Sequence, residues 1–200
     1  SKQPNRLLFL VLALCFAAFF TLSWYRIEQG FFNFAWLQGI FCQSEDAPGI
    51  LQIFVYGRPW LAVIAVLMLV CGFARFAMSA EKRTSVLIGA SLLGAGLLAL
   101  QGLAIGFTGW NWAFSEILFG QLAVGQPAFG AGAVLTGLCF LLIFSFALAE
   151  RGVMKGDAFV VSSITLLVAL VSVFVFYPIF SMFGASVQDF DGSFKPDGFI

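Results

Sequence analysis

Few side chains in this sequence can do chemistry, and they are scattered. The chain has four cysteines, Cys15, Cys42, Cys71 and Cys139, and no histidine. A thiolate serves as a nucleophile or metal ligand, and zinc or redox use brings two of them to CxxC spacing. No such pair exists here. Three of the four sit inside apolar runs, where cysteine behaves as a small buried hydrophobe. Neither a disulfide framework nor a zinc site is expected. Cys42 falls in a predicted loop and is the one candidate for a reactive thiol. The lack of histidine also removes the commonest metal ligand, most haem ligation and the usual general base.

Two further side chains stand out because their neighbours are apolar. Glu116 is the only charged residue between Arg83 and Glu150. Deep in apolar surroundings its carboxyl would hold a proton and could relay it, and at the surface it is an ordinary solvated carboxylate. No chain of partners for a relay is visible. Gln101 is the one strongly polar side chain in a long apolar run, placed either to bond a neighbouring helix or to touch a substrate. There is no P-loop, GxSxG or HExxH. We therefore expect no catalytic residue, no cofactor and no metal site, and a chain that is not itself an enzyme.

What must position these residues is set by composition. The chain is 61% hydrophobic and 10% charged, against roughly 25% charged in soluble domains. A globule of this size could not hide so much apolar surface, so much of it must face lipid. Five uncharged runs, the second slightly short, are near the ~20 residues a span needs: Leu7–Tyr25, Pro59–Ala74, Thr84–Phe107, Gly130–Ala149 and Phe159–Phe183. Amides in hydrocarbon must pair within their own segment, so each run is expected to be a helix. No ten-residue alternation suggests a barrel. The first run follows Lys2 and Arg6 as a signal peptide would, but Ser23-Trp24-Tyr25 is a poor cleavage context. We read it as an uncleaved helix.

The expected fold is all-α, a polytopic bundle of about five transmembrane helices. Seven basic residues fall on one side of it: Lys2, Arg6, Arg75, Lys82, Arg83, Arg151 and Lys155. The other side holds Arg26, Arg58 and Lys195, with Glu28, Glu45, Asp46, Glu116, Asp189, Asp191 and Asp197. Excess Lys and Arg marks the cytoplasm, which puts the N-terminus inside and the C-terminus in the periplasm. Trp24, Tyr25, Trp60, Trp110 and Trp112 fall at the outer interface, where amphipathic rings collect. The outer segments Gly30–Phe41, Ile50–Tyr56 and Trp112–Val124 are apolar and read as pieces lying on that interface. In the third run, Ser91, Ala95, Ala99, Gly102 and Gly106 form a small-residue face suited to close helix packing. Pro178 should kink or end the last helix near its outer end. Balanced charge and the lack of basic clusters exclude a nucleic-acid partner.

The last third resembles the permease subunit of a binding-protein-dependent ABC importer. The stretch ERGVMKGDAF (Glu150–Phe159) is a basic turn, and VFVFYPIFSMFGASVQD (Val173–Asp189) carries a tyrosine-proline near the outer end of an apolar helix. Iron(III) permeases of this type are also similar at SWYRIEQGFFNFAWL (Ser23–Leu37) and YGRPWL (Tyr56–Leu61). The resemblance implies that residues 1–157 are a membrane extension of about four helices, and that residues 158–200 are the first helix of the permease core and the start of a periplasmic loop. It implies an inner-membrane location, a separate ATP-binding cassette subunit and a periplasmic substrate-binding protein as partners, and ferric iron as cargo. The family's ATPase-docking loop would lie beyond Ile200. With no methionine at the start and a loop-like end, Gly192–Phe199, we expect a piece of a longer polypeptide. Two other readings remain open at this point. One is a non-transport scaffold that binds partner helices through small-residue faces. The other is a membrane enzyme relying on Cys42 and Glu116.

Overall fold

The computed structural model describes residues 3–26, 47–106, 109–110, 113–120 and 128–187. Its helices are α1 (Gln3–Thr21), α2 (Gly49–Phe54), α3 (Leu61–Ala77), α4 (Ala80–Ala104), α5 (Ala113–Phe119), α6 (Ala131–Glu150) and α7 (Ala158–Val187). Each of the five apolar runs is one of the longer helices. Among the described residues the extended pairs are two ladders of two residues each and a single bridge between Ser23 and Pro48. One ladder joins β1 (Tyr25–Arg26) to β4 (Ala128–Phe129), and the other joins β2 (Ile105–Gly106) to β3 (Gly109–Trp110). The fold class is thus helical, as expected.

Among the described residues three helices are long and apolar enough to cross a membrane: α4, α6 and the Ala158–Phe180 stretch of α7. The apolar parts of α1 (Arg6–Thr21) and α3 are shorter. Some ends differ from the sequence expectation. α1 stops at Thr21, short of Tyr25, because the chain there turns extended and Tyr25 pairs with Phe129. α4 begins at Ala80, ahead of the apolar run, because Glu81, Lys82 and Arg83 are good helix formers. α7 continues through Pro178 to Val187, so the proline does not end the helix. Asp157 caps its start, its Oδ1 accepting from the N–H of Phe159 at 3.0 Å and of Val160 at 3.2 Å.

Neighbouring long helices run antiparallel. Phe9, early in α1, meets Phe76, late in α3, with ring centroids 6.3 Å apart. α4 packs most extensively on α6, and α6 packs in turn on α1 and α7. Buried side chains recur every three or four residues, as a packed helical face requires. Leu8, Leu12, Cys15 and Phe19 do so on α1, and Leu61, Ile64, Met68 and Cys71 on α3. α4 buries Leu87, Ser91, Gly94, Leu98 and Gln101.

Close approach depends on small residues. A Cβ on Gly94 would come within 2.7 Å of the Phe140 ring. A Cβ on Gly132 would sit 2.7 Å from the Leu22 carbonyl oxygen and 3.0 Å from that of Ser23. The expected small-residue face of α4 is therefore displaced. Ser91 is on the packed face, but Ala99 is exposed, Gly102 is half-buried and Gly106 lies outside the helix in β2. The closest approach on α4 is at Gly94, while Gly102 admits the Phe129 ring, which a Cβ there would meet at 3.2 Å.

The two ends of the bundle differ in character. At one end Arg83 pairs with Glu150 at 3.1 Å, and Arg151 donates to Ser85 Oγ. This end holds the α3–α4 and α6–α7 turns. In the second turn Gly152 takes φ +90°, and Met154 and Lys155 also adopt left-handed backbone. At the other end the aromatic residues gather.

Candidate functional site

The aromatic end is built from the close of α1, the α2–α3 connection, the last turns of α4 and the start of α6. Trp24 and Tyr25 are fully buried. The Trp24 N–H donates to the Ala47 carbonyl at 3.0 Å, and Gly130 N–H donates to the Trp24 carbonyl at 2.8 Å. Gly57, at φ +64°, turns the chain from α2 toward α3 and brings Arg58 inward. The Arg58 guanidinium carbon lies 4.5 Å from the centroid of the Tyr25 ring, a stacked cation worth about 2 kcal/mol when desolvated. Arg58 Nη1 donates to Gln52 Oε1 at 2.7 Å, and Gln52 Nε2 donates to the Ala47 carbonyl at 3.1 Å.

The Tyr25 hydroxyl is the centre of this cluster. Trp60 Nε1 donates to it at 3.3 Å, and Gln101 Nε2 also donates to it. Burial pushes the phenol up to about 12, partly offset by the Trp60 N–H and the Arg58 charge. Trp60 continues outward into an aromatic cluster, with its ring centroid 5.1 Å from Trp110 and 5.3 Å from Phe119. The two short helices carry exposed apolar side chains, Phe54 and Val55 at the end of α2 and Ile117 and Leu118 on α5.

Beside this cluster lies a cavity of about 640 Å³ between the last turns of α4 and the second half of α7. Ala99, Gly102, Phe129, Val173, Phe176 and Phe180 supply much of its lining, and Gln101 stands at its wall.

The residues singled out in the sequence do not converge. Gln101 is buried and bonds the Tyr25 hydroxyl, which makes it an inter-element tether. Glu116 is exposed on α5. Pro178 lies inside α7. Cys42, Arg26's side chain, Trp112 and the Gly30–Phe41 segment lie outside the described residues. Cys15 and Cys139 meet thiol to thiol between α1 and α6. Among the described residues no three His, Cys, Asp or Glu side chains come together as metal ligands would.

Sequence reasoning placed Trp24 and Tyr25 at the outer interface and missed the Arg58–Gln52–Tyr25 cluster. Both rings are fully buried in protein, where the β1–β4 ladder pairs Tyr25 with Phe129. The only sequence signal was polar Gln52 and Arg58 flanking a short apolar stretch. What the cluster can do chemically is hold: it has donors, acceptors and a stacked cation, but no nucleophile paired with a base. Compared with known protein families, with curated proteins and with solved structures, the chain matches none.

Proposed function

We propose that the chain is a multi-pass protein of a bacterial inner membrane, with five crossings, a cytoplasmic N-terminus and a periplasmic C-terminus. In this reading it forms part of the permease of an ABC importer for ferric iron. α1, α3, α4 and α6 act as a scaffold beside the conducting path, and α7 is the first helix of the permease core. A periplasmic binding protein delivers the cargo and a separate ATPase drives the cycle by favouring one of two states.

The observation that carries this reading is the α6–turn–α7 unit. Its basic turn is followed by an Asp157-capped, strongly apolar helix that bears Tyr177-Pro178 near its far end. That helix leaves most of its surface uncovered, as a helix awaiting conducting partners would. Support for the orientation comes from the ends: the Arg83, Glu150 and Arg151 end is charged, and the opposite end is aromatic.

The deciding experiment is uptake of radiolabelled ferric iron by cells with and without the intact gene. Loss of ATP-dependent uptake in the deletion strain is the expected result. Unchanged uptake removes the transport reading and leaves the alternative, a scaffold subunit that binds partner helices through the exposed surface of α7. Orientation has its own check. Impermeant labelling of single cysteines placed at Lys2 and Lys195, in a chain without other cysteines, should reach them from opposite compartments.

A further inference from the structure

We propose that the cleft between α4 and α7 binds a single-chain amphiphile drawn from the surrounding membrane, an apolar body carrying one hydroxyl, with that hydroxyl held by Gln101. The inference rests on the membrane reading above but not on transport.

The cleft encloses about 640 Å³, in the range of small-molecule sites. α4 and α7 touch little, and the gap between them is flanked by α6. On the α4 side the wall is Ala99, Gly102, Leu103 and Ile105, with the small Ala99 and Gly102 leaving room. On the other side it is Val173, Phe176 and Phe180, about half exposed rather than packed on α4, together with Ser172 and Tyr177. A mostly apolar lining with so few polar groups does not hold a cluster of water, which needs several polar partners for each molecule. It suits a hydrocarbon chain.

Gln101 is what makes the site more than a greasy gap. Its side chain lines the cleft and is only 8% exposed. Nε2 is committed to Tyr25, and Oε1 has no hydrogen-bond partner. A buried amide oxygen left unpaired is costly, so a donor supplied from the cleft is favoured once a small turn of the side chain brings this enclosed oxygen to the cleft wall. If the amide turns about its last bond, Oε1 meets Tyr25 and Nε2 becomes the unpaired atom. A hydroxyl both donates and accepts, so it satisfies either orientation. A carboxylate or a cation would bring a full charge into this apolar setting at much greater cost.

The test uses the full chain in phosphatidylcholine nanodiscs and a hexadecanol analogue bearing a photoreactive diazirine. Adducts are expected on the peptides spanning 99–105 and 172–180. Hexadecanol should compete roughly tenfold better than hexadecane, the advantage of one hydrogen bond. Val173→Trp, which adds bulk at an exposed lining position, should cut labelling roughly tenfold, the scale of crowding a filled space. Gln101→Leu should erase the preference for the alcohol while leaving competition by the alkane. Should Gln101→Leu fail to fold, the wild-type competition and Val173→Trp still decide. Equal competition by alcohol and alkane overturns the proposal. So do adducts spread along all of α7 that ignore Val173→Trp, or no adducts at all. A chain that leaves the bilayer without detergent would instead sink the membrane reading, a separate outcome.

Discussion

α6 and α7 are neighbours of nearly equal apolar character, yet half of the most apolar stretch of α6 is buried in protein and only 6% of that of α7 is. The difference lies in size of side chain. Most of what α6 buries is small, Ala131, Gly132, Ala133, Thr136, Cys139, Ser145, Ala147 and Ala149, with Phe140 and Ile143 as the two large side chains among them. α7 presents Phe159, Leu167, Val168, Leu170, Val171, Phe174 and Met182 outward. In lipid there is no hydrophobic drive to bring two apolar helices together, so close packing of small residues decides which one joins the core. Hydropathy marks both helices as membrane material. Only the distribution of small side chains separates the one solvated by protein from the one solvated by its surroundings.

The sharpest way to break this contrast is at Gly132. A valine there would drive its side chain into the carbonyls of Leu22 and Ser23, which are backbone and cannot swing aside. We expect Gly132→Val to cost about 3 kcal/mol or to prevent folding, whereas Val171→Leu on α7 should stay within about 0.5 kcal/mol. Thermal unfolding in detergent measures both. If the two variants behave alike, side-chain size is not what distinguishes the helices.

Gly94 refines the comparison, because its obstacle is a side chain rather than backbone. Gly94→Ala should cost about 1–2 kcal/mol, less than Gly132→Val, as the Phe140 ring shifts. Adding Phe140→Leu should return part of that loss. A double variant no better than the sum of the singles would show that Phe140 is not the neighbour that resists.

The smallest expected effect concerns the tether that α4 has and α7 lacks. Tyr25→Phe removes the hydroxyl that Gln101 and Trp60 share, at about 1 kcal/mol near neutral pH. Its pH dependence is the better readout. The folded chain raises this phenol from 10 to about 12, so the folded state holds the proton more tightly than the unfolded state. The contribution is intact below pH 10 and is lost as pH rises toward 12. Over that window the wild type should lose stability relative to Tyr25→Phe. Parallel curves between pH 9 and pH 12 would mean the hydroxyl is not buried as described.

Much of the helical layout was legible in the sequence, because long uncharged runs leave the backbone no other way to pair its amides. Ends were less legible. Thr21 rather than Tyr25 closes α1 because of a ladder to Phe129, and no local pattern announces a partner so far along the chain. The candidate site was mostly illegible for the same reason. Gln101 was visible as an oddity in an apolar run, but its partner Tyr25 lies 76 residues earlier. Arg58 carried a charge that hydropathy assigns to the water side, and only the fold shows it stacked on a ring. The α4 small-residue face was misplaced because spacing gives a stripe without saying which way it turns. Ala99 and Gly102 share the stripe but border the cleft, while Gly94 makes the closest approach.

The bonds from Gly130 to the Trp24 carbonyl and from Gly132 to the Ser23 carbonyl set a timetable for assembly. The close of the first helix can be held early by the Trp24 bond to the Ala47 carbonyl, but it is not fully secured until a strand more than a hundred residues downstream has been synthesised. At ribosomal speeds of about 5–20 residues per second, that is a wait on the order of 5–20 s. Throughout it the first helix must lodge in the bilayer with only its earlier neighbours for company. Quality-control proteases therefore have their best opportunity before the sixth helix arrives, and a ribosome stalled ahead of residue 130 should leave the nascent chain unusually easy to degrade.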